Sequence, residues 1–473
     1  MLTLADIVEA LTGICPPWTN QVVTDALIDS RYTIPGSLFV ALPGERVDGH
    51  DFVEDAFARG ASFAFVQRDL SGDNPVLDLR VAASPDAVAP PDAPLVIRVE
   101  NTLQALQQVA RFWRRKLNLR VIGITGSVGK STTKELAAAV LEQRYSTLKN
   151  SGNLNNEIGL PLTILRLSEG HQRAVLEMGL YVPGEIAFLC DLAQPHVGVI
   201  TNVGTVHAER AGSQEAIARG KAELVQSLPP APDGVAILNY DDPWVRDMAG
   251  QTQAQVFFYG MEPQADLWAD QVEGLGLEGI RFRLHYGNET MHLRVPLIGR
   301  HSVHTALRAA AVGLVEGLTW QEIVNGLRAG HTQLRLVAVR AESGALLLDD
   351  TYNASPQSMM AALNLLDEMD GRKIAVLGDM LELGPYEWQG HEKVGIRAAE
   401  VADEIVTIGE RGRMIAAAAC RAKFPNCELT ELENSDQAIE FLRDLLQAND
   451  VVLVKGSRGM CMDRIVAVLE ATR

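Results

Sequence analysis

Gly126-Ser127-Val128-Gly129-Lys130-Ser131-Thr132 brings together what a phosphate group needs from a protein. Two glycines let the backbone approach closely, a lysine supplies positive charge, and a serine hydroxyl is a hard oxygen ligand for a divalent cation. An apolar run, Leu119 to Thr125, precedes the stretch, and a helical pattern begins near Thr132. Strand, glycine loop and helix in that order aim backbone N–H groups and a helix N-terminus at phosphate oxygens. Position 124, where the longer phosphate-loop pattern has glycine, is isoleucine, and Gly123 lies one residue too far upstream. The match is therefore to the shorter Gly-x-x-Gly-Lys-Ser form. A glycine-rich turn with a chance Lys-Ser is the alternative, and the flanking strand and helix favour nucleotide binding.

Ligands of open α/β sheets gather outside the carboxyl ends of the strands. Glu177 ends an expected strand, Ala174–Met178, and His207 follows another, Val197–Thr201, by a few residues. Both belong on the rim that carries the phosphate loop. A carboxylate suits Mg²⁺, whereas an imidazole is a less typical ligand and could equally donate a hydrogen bond. Taken singly, Glu177 reads as a cap and His207 as a loop residue; the shared rim sets the functional reading level with the bland one. Lys221, within a helical stretch from Ala218 to Leu224, reads by itself as a solvated surface lysine.

The elements that must position these residues follow from periodicity. A helix is expected over Thr102 to Lys116, with Leu103, Leu106, Val109, Phe112 and Trp113 on one face. Strands and helices then alternate, the pattern of a parallel sheet covered on both faces, with a further strand at Val235–Leu238. Residues 265–298 read as irregular and β-like, and a helix follows over His301–Val315. A second βα series starts near Arg335, with strands at Leu346–Asp349, Ile374–Leu377, Ile405–Ile408 and Val451–Val454. A proline-rich break lies at 85–94. Boundaries near 99 and 331 divide the chain into three α/β domains, 1–99, 100–331 and 332–473, matching the roughly three domains its length suggests.

Composition bounds the partners. The 473 residues are 47% hydrophobic and 22% charged, and 60 acidic against 42 basic residues leave a net charge of −18. Such a balance argues against nonspecific nucleic-acid or anionic-membrane binding, though a few placed cations suffice for a phosphorylated substrate. Asp6 and Glu9 occupy the N-terminal stretch where a signal peptide would be basic, and no uncharged apolar run approaches membrane-helix length. Five scattered cysteines without a CxxC pair favour incidental thiols over zinc or disulfides. A soluble, cytoplasmic protein without membrane insertion is expected.

Thr125 to Thr132, Leu176 to Gly179, Thr201 to His207 and the Lys221 helix, in this order and spacing, resemble the Mur ligases. These ATP-dependent enzymes add amino acids to the peptidoglycan precursor. Asp29-Ser30-Arg31, Phe39 to Phe52, Gly152 to Pro161, Asp349 to Pro356, Leu377 to Gly384 and Lys455 to Arg458 extend the resemblance over nearly the whole chain. The Asp349 and Leu377 segments resemble the branch that adds a D-alanyl-D-alanine dipeptide. The Asp-Asn-Pro-Arg of the branch that adds the third peptide residue is missing. Two departures stand out: Ser302 and Thr305 replace asparagines of a His-Asn-x-x-Asn pattern that begins here at His301, and Asp463 stands where glutamate is common.

The resemblance implies an N-terminal UDP-binding domain, a central ATPase domain built on a parallel sheet with the phosphate loop, and a Rossmann-like C-terminal domain. It implies a monomer acting on UDP-MurNAc-tripeptide and D-Ala-D-Ala with ATP and Mg²⁺. Gly126 to Thr132, His301, Arg335 and Asp350 correspond to nucleotide contacts, and Ser131 and Glu177 to ligands of one Mg²⁺. His207 and Lys221 correspond to a second metal position. An ammonium has no lone pair for a cation, and the family resolves this by carbamylating the lysine. Lys130, Glu177, His207 and Lys221 are thereby the expected catalytic set. Ser30, Arg31, Asp48, His50 and Asp51 are candidates for the UDP-sugar, and Asn153, Asn155 and Asn156 for the sugar-peptide. Asn353, Ser355, Lys455, Ser457 and Arg458 are candidates for the dipeptide. Two other readings remain open from sequence: a folylpolyglutamate- or cyanophycin-type amide ligase, disfavoured by the N-terminal segment, and a nucleotide-switched binding protein, disfavoured by the rim carboxylate.

Overall fold

The computed structural model describes residues 1–16, 21–44, 46–80, 94–205, 208–329, 337–422 and 428–471. Most of the proline-rich break, with His207, Arg335 and Cys427, lies outside them. The chain forms two compact units: one of Met1–Gly123, Tyr145–Gly179 and Glu185–Val197, the other of Ile124–Arg144, Leu180–Gly184 and Gly198–Arg473.

In the first unit, five strands pair in parallel in the order Ala26–Leu27, Leu38–Val40, Phe63–Val66, Leu95–Arg98, Val76–Asp78. Phe63, Ala64, Phe65 and Val66 are all buried, as expected of a strand covered on both faces. The helix Thr102–Lys116 forms with the expected bounds. Asn101 caps its N-terminus by accepting from the Gln104 amide, while Arg114, Arg115 and Lys116 sit at the negative end of its dipole. The strands Arg120–Thr125, Arg173–Glu177 and Thr147–Lys149 are successive neighbours. The first of these leads directly into the phosphate loop.

In the second unit, strands follow the order Val197–Ile200, Val235–Asn239, Gln255–Gly260, Leu267–Gly274, Ile280–Tyr286, Glu289–Val295. The last three are antiparallel, with Ile280 opposite Val295 and Tyr286 opposite Glu289. This meander is the segment that read as irregular. Glycines at 274, 276, 279 and 287 fall at strand ends and turns, where they break the apolar alternation that would have revealed it.

A six-stranded sheet completes the unit: Val337–Arg340, Leu346–Asp349, Asp450–Lys455, Arg372–Gly378, Glu404–Ile408, Glu428–Leu432. All neighbours are parallel except the first pair. Its strands feed two cores in strict alternation: Leu348, Ala375, Leu377 and Leu453 enter one, and Leu347, Ile374, Val376 and Val452 the other. The two outermost strands have only exposed and half-buried positions, so neither shows the buried apolar run of the inner strands. The molecule is a mixed α/β protein rich in parallel sheet.

Candidate active site

The phosphate loop is shaped by two glycines in conformations that disfavour a side chain. Gly126 has φ +147°, and a Cβ there would lie 1.8 Å from Thr201 Oγ1; Gly129 has φ +85° and precedes the helix Lys130–Leu141. The loop is braced from the chain that follows the strand Val197–Ile200. Ser127 N donates to Asn202 O at 3.0 Å and Val128 N to Asn202 Oδ1 at 2.9 Å, while Gly204 N donates to Ser127 Oγ at 2.8 Å. Lys130 Nζ arches back over the loop and donates to Gly126 O at 2.8 Å. The helix begins at Lys130, two residues before the expected start.

A cleft of about 170 Å³ opens against this loop. Ser127, Val128, Gly129 and Thr132 form one wall, with His301, Ser302 and Thr305 beside them. Asp350, Asn353 and Lys455 face them from the six-stranded domain, and Ile298, Ala354, Ala361 and Leu365 add an apolar surface suited to a flat base. His301 keeps solvent access. Desolvation within the cleft, ahead of repulsion from His304, Arg308 and Lys455, lowers its pKa to about 4, so the ring is neutral near pH 7. Neither hydroxyl at the two asparagine departures is idle: Ser302 Oγ donates to Ile298 O at 2.7 Å, and Thr305 Oγ1 accepts from Arg308 Nη2 at 2.8 Å.

Glu177 is buried at the end of its strand. Asn150, itself fully buried, accepts from Glu177 N at 2.9 Å and donates to Glu177 O at 3.1 Å, which fixes the backbone. Asn155 Nδ2 donates to Glu177 Oε1 at 2.9 Å. Oε2 is buried and has no hydrogen-bond partner among the described residues. An orphaned carboxylate oxygen is costly unless a cation or donor meets it, which fits a hard-metal ligand. Among the described residues no three His, Cys, Asp or Glu side chains cluster as a metal cage.

Lys221 corrects the surface reading. Its helix Gln214–Gln226 turns Ala218, Lys221, Ala222 and Val225 inward, and the side chain is only 3% exposed. Burial first, and the charge of Lys130 second, hold its pKa well below the ordinary lysine range. Both causes disfavour the ammonium relative to a solvated lysine.

Other expected residues have more local tasks. The His50 ring is buried; Nδ1 bonds Asp48 Oδ1 at 2.5 Å and Nε2 accepts from Gln67 N at 3.0 Å, which leaves no ring nitrogen for a ligand. Asp51 pairs with Arg68, and the exposed Arg31 pairs with Asp29. Ser30 is buried. Asn156 Oδ1 caps the helix Gly159–Leu165 through the amides of Ile158 and Gly159, and Asn153 stays exposed. Ser355 is the buried N-cap of the helix Pro356–Asp367. Ser457 Oγ accepts from Leu381 N at 2.9 Å. Lys455 Nζ is 2.6 Å from Asp350 Oδ2 and 2.8 Å from Asn353 O, so its charge serves the cleft wall. Arg458 remains exposed near the Tyr352 ring. Sequence reading missed Asn150 and Arg308. Asn150 directly follows the strand Thr147–Lys149, a position that could have drawn notice; Arg308 lies mid-helix without any signal.

Comparison with known proteins places this geometry. Models described as "Mur ligase family, catalytic domain", "Mur ligase middle domain" and "Mur ligase, glutamate ligase domain" match residues 23–114, 124–313 and 334–458 in turn. The UDP-N-acetylmuramoyl-tripeptide–D-alanyl-D-alanine ligase of Bacillus subtilis (strain 168) is 35% identical, covering 98% of this chain and 97% of that protein. The chain belongs to the Mur ligase family. Among solved Mur ligases, MurF from Acinetobacter baumannii superposes with a TM-score of 0.82 at 32% identity, covering 98% of each chain. MurF from Thermotoga maritima in complex with ADP gives 0.78 at 27% identity, covering 96% of this chain and 98% of that one. Within the Mur ligase pattern, the middle-domain match contains the phosphate loop, Glu177, Lys221 and His301, and the last match contains Asp350 and Lys455.

Proposed function

We propose that this chain is the ADP-forming ligase that joins D-alanyl-D-alanine to UDP-N-acetylmuramoyl-tripeptide, completing the pentapeptide precursor of peptidoglycan. The observation that carries it is likeness over 98% of the chain to a relative named for that reaction. The braced phosphate loop facing Asp350 and Lys455 across one cleft supports it. The protein acts as a monomer in the cytoplasm; among the described residues no helix is long and apolar enough to cross a membrane. Residues 1–99 take the UDP moiety, 100–331 the ATP, and 332–473 close on the nucleotide and take the dipeptide.

The chemistry must bring a carboxylate onto a polyphosphate, and both are anions. Lys130 offsets that repulsion and follows the charge on the transferring phosphoryl group. A carboxylate oxygen of the tripeptide attacks the γ-phosphorus, the bond to ADP breaks, and an acyl phosphate results. The dipeptide amine then attacks the acyl carbon, loses a proton, and phosphate departs from the tetrahedral intermediate. The cleft walls keep water from the acyl phosphate. Ser131 and Glu177 are each assigned to Mg²⁺, which would supply charge neutralisation at the phosphates. Lys221, a buried lysine whose charged form is disfavoured, suits addition of its amine to CO₂, forming a carbamate and releasing a proton; with His207 it would provide for a second ion. Arg335 is assigned to the γ-phosphate, Asp350 to the ribose, and Arg458 to the dipeptide carboxylate.

ATP turnover is expected to require both UDP-MurNAc-tripeptide and D-Ala-D-Ala, with phosphate and pentapeptide in equal amounts. Phosphate release indifferent to either substrate would sink the proposal. For the carbamate, full activity in bicarbonate-free buffer with an unmodified Lys221 by mass spectrometry would count against it.

A further inference from the structure

Arg308 is a cation that none of these roles employs. It lies on the helix Val303–Val315 and is 4% exposed. Among the described residues its partners are three hydroxyls and no carboxylate: Nε donates to Thr133 Oγ1 at 2.8 Å, Nη2 to Thr305 Oγ1 at 2.8 Å and Nη1 to Tyr259 OH at 3.4 Å. The hydroxyls take up three of its five N–H donors but do not offset the charge, and a buried charge without a counter-charge is expensive.

The position of the guanidinium shows where a counter-charge would come from. A Cβ added to Gly129 would sit 3.0 Å from Nη2, so the cation lies directly behind the phosphate loop. Its hydrogen bonds also close a ring around that loop. Thr133 Oγ1 in turn donates a hydrogen bond to Gly129 O at 2.6 Å. Tyr259 OH donates to the carbonyls of Ile200 and Thr201 at 3.1 Å, and the next residue, Asn202, accepts the amides of Ser127 and Val128.

We propose that Arg308 is a positioning residue whose missing counter-charge is the polyphosphate bound on the opposite face of the loop. The proposal rests on the nucleotide reading above and deepens it: affinity for a nucleoside triphosphate depends on the charge at position 308, not only on Lys130. Coulomb attraction from a buried cation across a half-buried loop is screened less by salt than a surface pair, and it grows with the charge of the ligand. ATP therefore gains more from Arg308 than ADP does.

The test is calorimetric titration of the full chain with ATP and with ADP, for wild type, Arg308→Gln and Arg308→Lys, each checked by circular dichroism. Arg308→Gln is expected to weaken ATP binding tenfold or more and ADP binding less. Arg308→Lys keeps the charge but loses the three-way fork, and should stay within about threefold of wild type for ATP. ATP binding by the Gln variant within twofold of wild type overturns the proposal, as does a Lys variant as weak as Gln, the mark of a purely structural arginine. If the Gln variant does not fold, the Lys variant decides alone, a tenfold loss being adverse. A wild-type chain that binds no ATP overturns the nucleotide reading and this inference with it; binding by wild type with an unaffected Gln variant overturns this inference only.

Discussion

Asn155 donates its side-chain amide to Oε1 of Glu177 at 2.9 Å, and this bond determines which carboxylate oxygen remains for a cation. With Oε1 held, the buried Oε2 is the atom without a partner among the described residues. Outer partners of this kind typically alter metal affinity by about 10–100-fold. Asn155→Ala should raise the Mg²⁺ concentration for half-maximal turnover by about that factor, with rate recovered at saturating Mg²⁺. An unchanged Mg²⁺ titration would show that Asn155 does not orient the ligand.

Lys130 caps the phosphate loop through Gly126 O at 2.8 Å. Lys130→Ala removes the charge that offsets phosphate repulsion while leaving the glycine and Asn202 braces in place. Turnover should fall by about a thousandfold or more, in line with the loss of one well-placed electrostatic contact, and the circular-dichroism spectrum should not change. Unchanged activity would remove the loop from the mechanism.

Gly126→Ala tests the loop's close approach. The backbone at φ +147° costs a non-glycine residue about 1–3 kcal/mol, and the new Cβ would overlap Thr201 Oγ1, a 1.8 Å approach. Thermal unfolding should shift to lower temperature and ATP binding should be lost. A variant that melts and binds like wild type would refute the stated geometry.

His301 makes stability depend on acid in one window. Its native pKa of about 4 lies below the ordinary 6.5, so between those values the unfolded chain binds a proton that the folded chain refuses. The stability tied to neutral His301 is complete above pH 6.5 and is lost as pH falls toward 4. Wild type should lose more melting temperature than His301→Gln across that interval. Parallel curves, or a His301 NMR resonance already shifted at pH 5.5, would contradict this.

Lys455 and Asp350 form a pair at 2.6 Å, with 1% and 16% of their side chains exposed. Removing one member strands the other, a loss of about 3–5 kcal/mol for fully buried pairs; the residual exposure of Asp350 places the expected cost near the lower end. Lys455→Met should therefore destabilise by about 3 kcal/mol in urea unfolding, and Lys455→Met with Asp350→Leu by less. An additive double mutant would mean that the two charges are not coupled.

How much of the site was legible depended on how far each residue reaches along the chain. The phosphate loop and the strands ending in Asp349 and near Glu177 were readable because strand, turn and helix signals lie within about ten residues of one another. The meander over 267–295 was not, since its glycines sit at the turns. His50, Ser355 and Lys455 bear side chains that suit a ligand, and all three turn out to hold their own fold together. Residue type cannot separate those two uses.

By itself the sequence determined the phosphate loop, the alternation of strands and helices, and the resemblance that named a ligase. All of these rest on local periodicity, glycine placement and motif order. Only the tertiary structure buried Lys221, left one oxygen of Glu177 unmatched and set Arg308 behind the loop. The reason is distance along the chain: Arg308 meets Thr133 across 175 positions and Lys455 meets Asp350 across 105. Whether a cation is solvated, paired or left facing a ligand is decided by such neighbours, and these are assembled only when the chain folds.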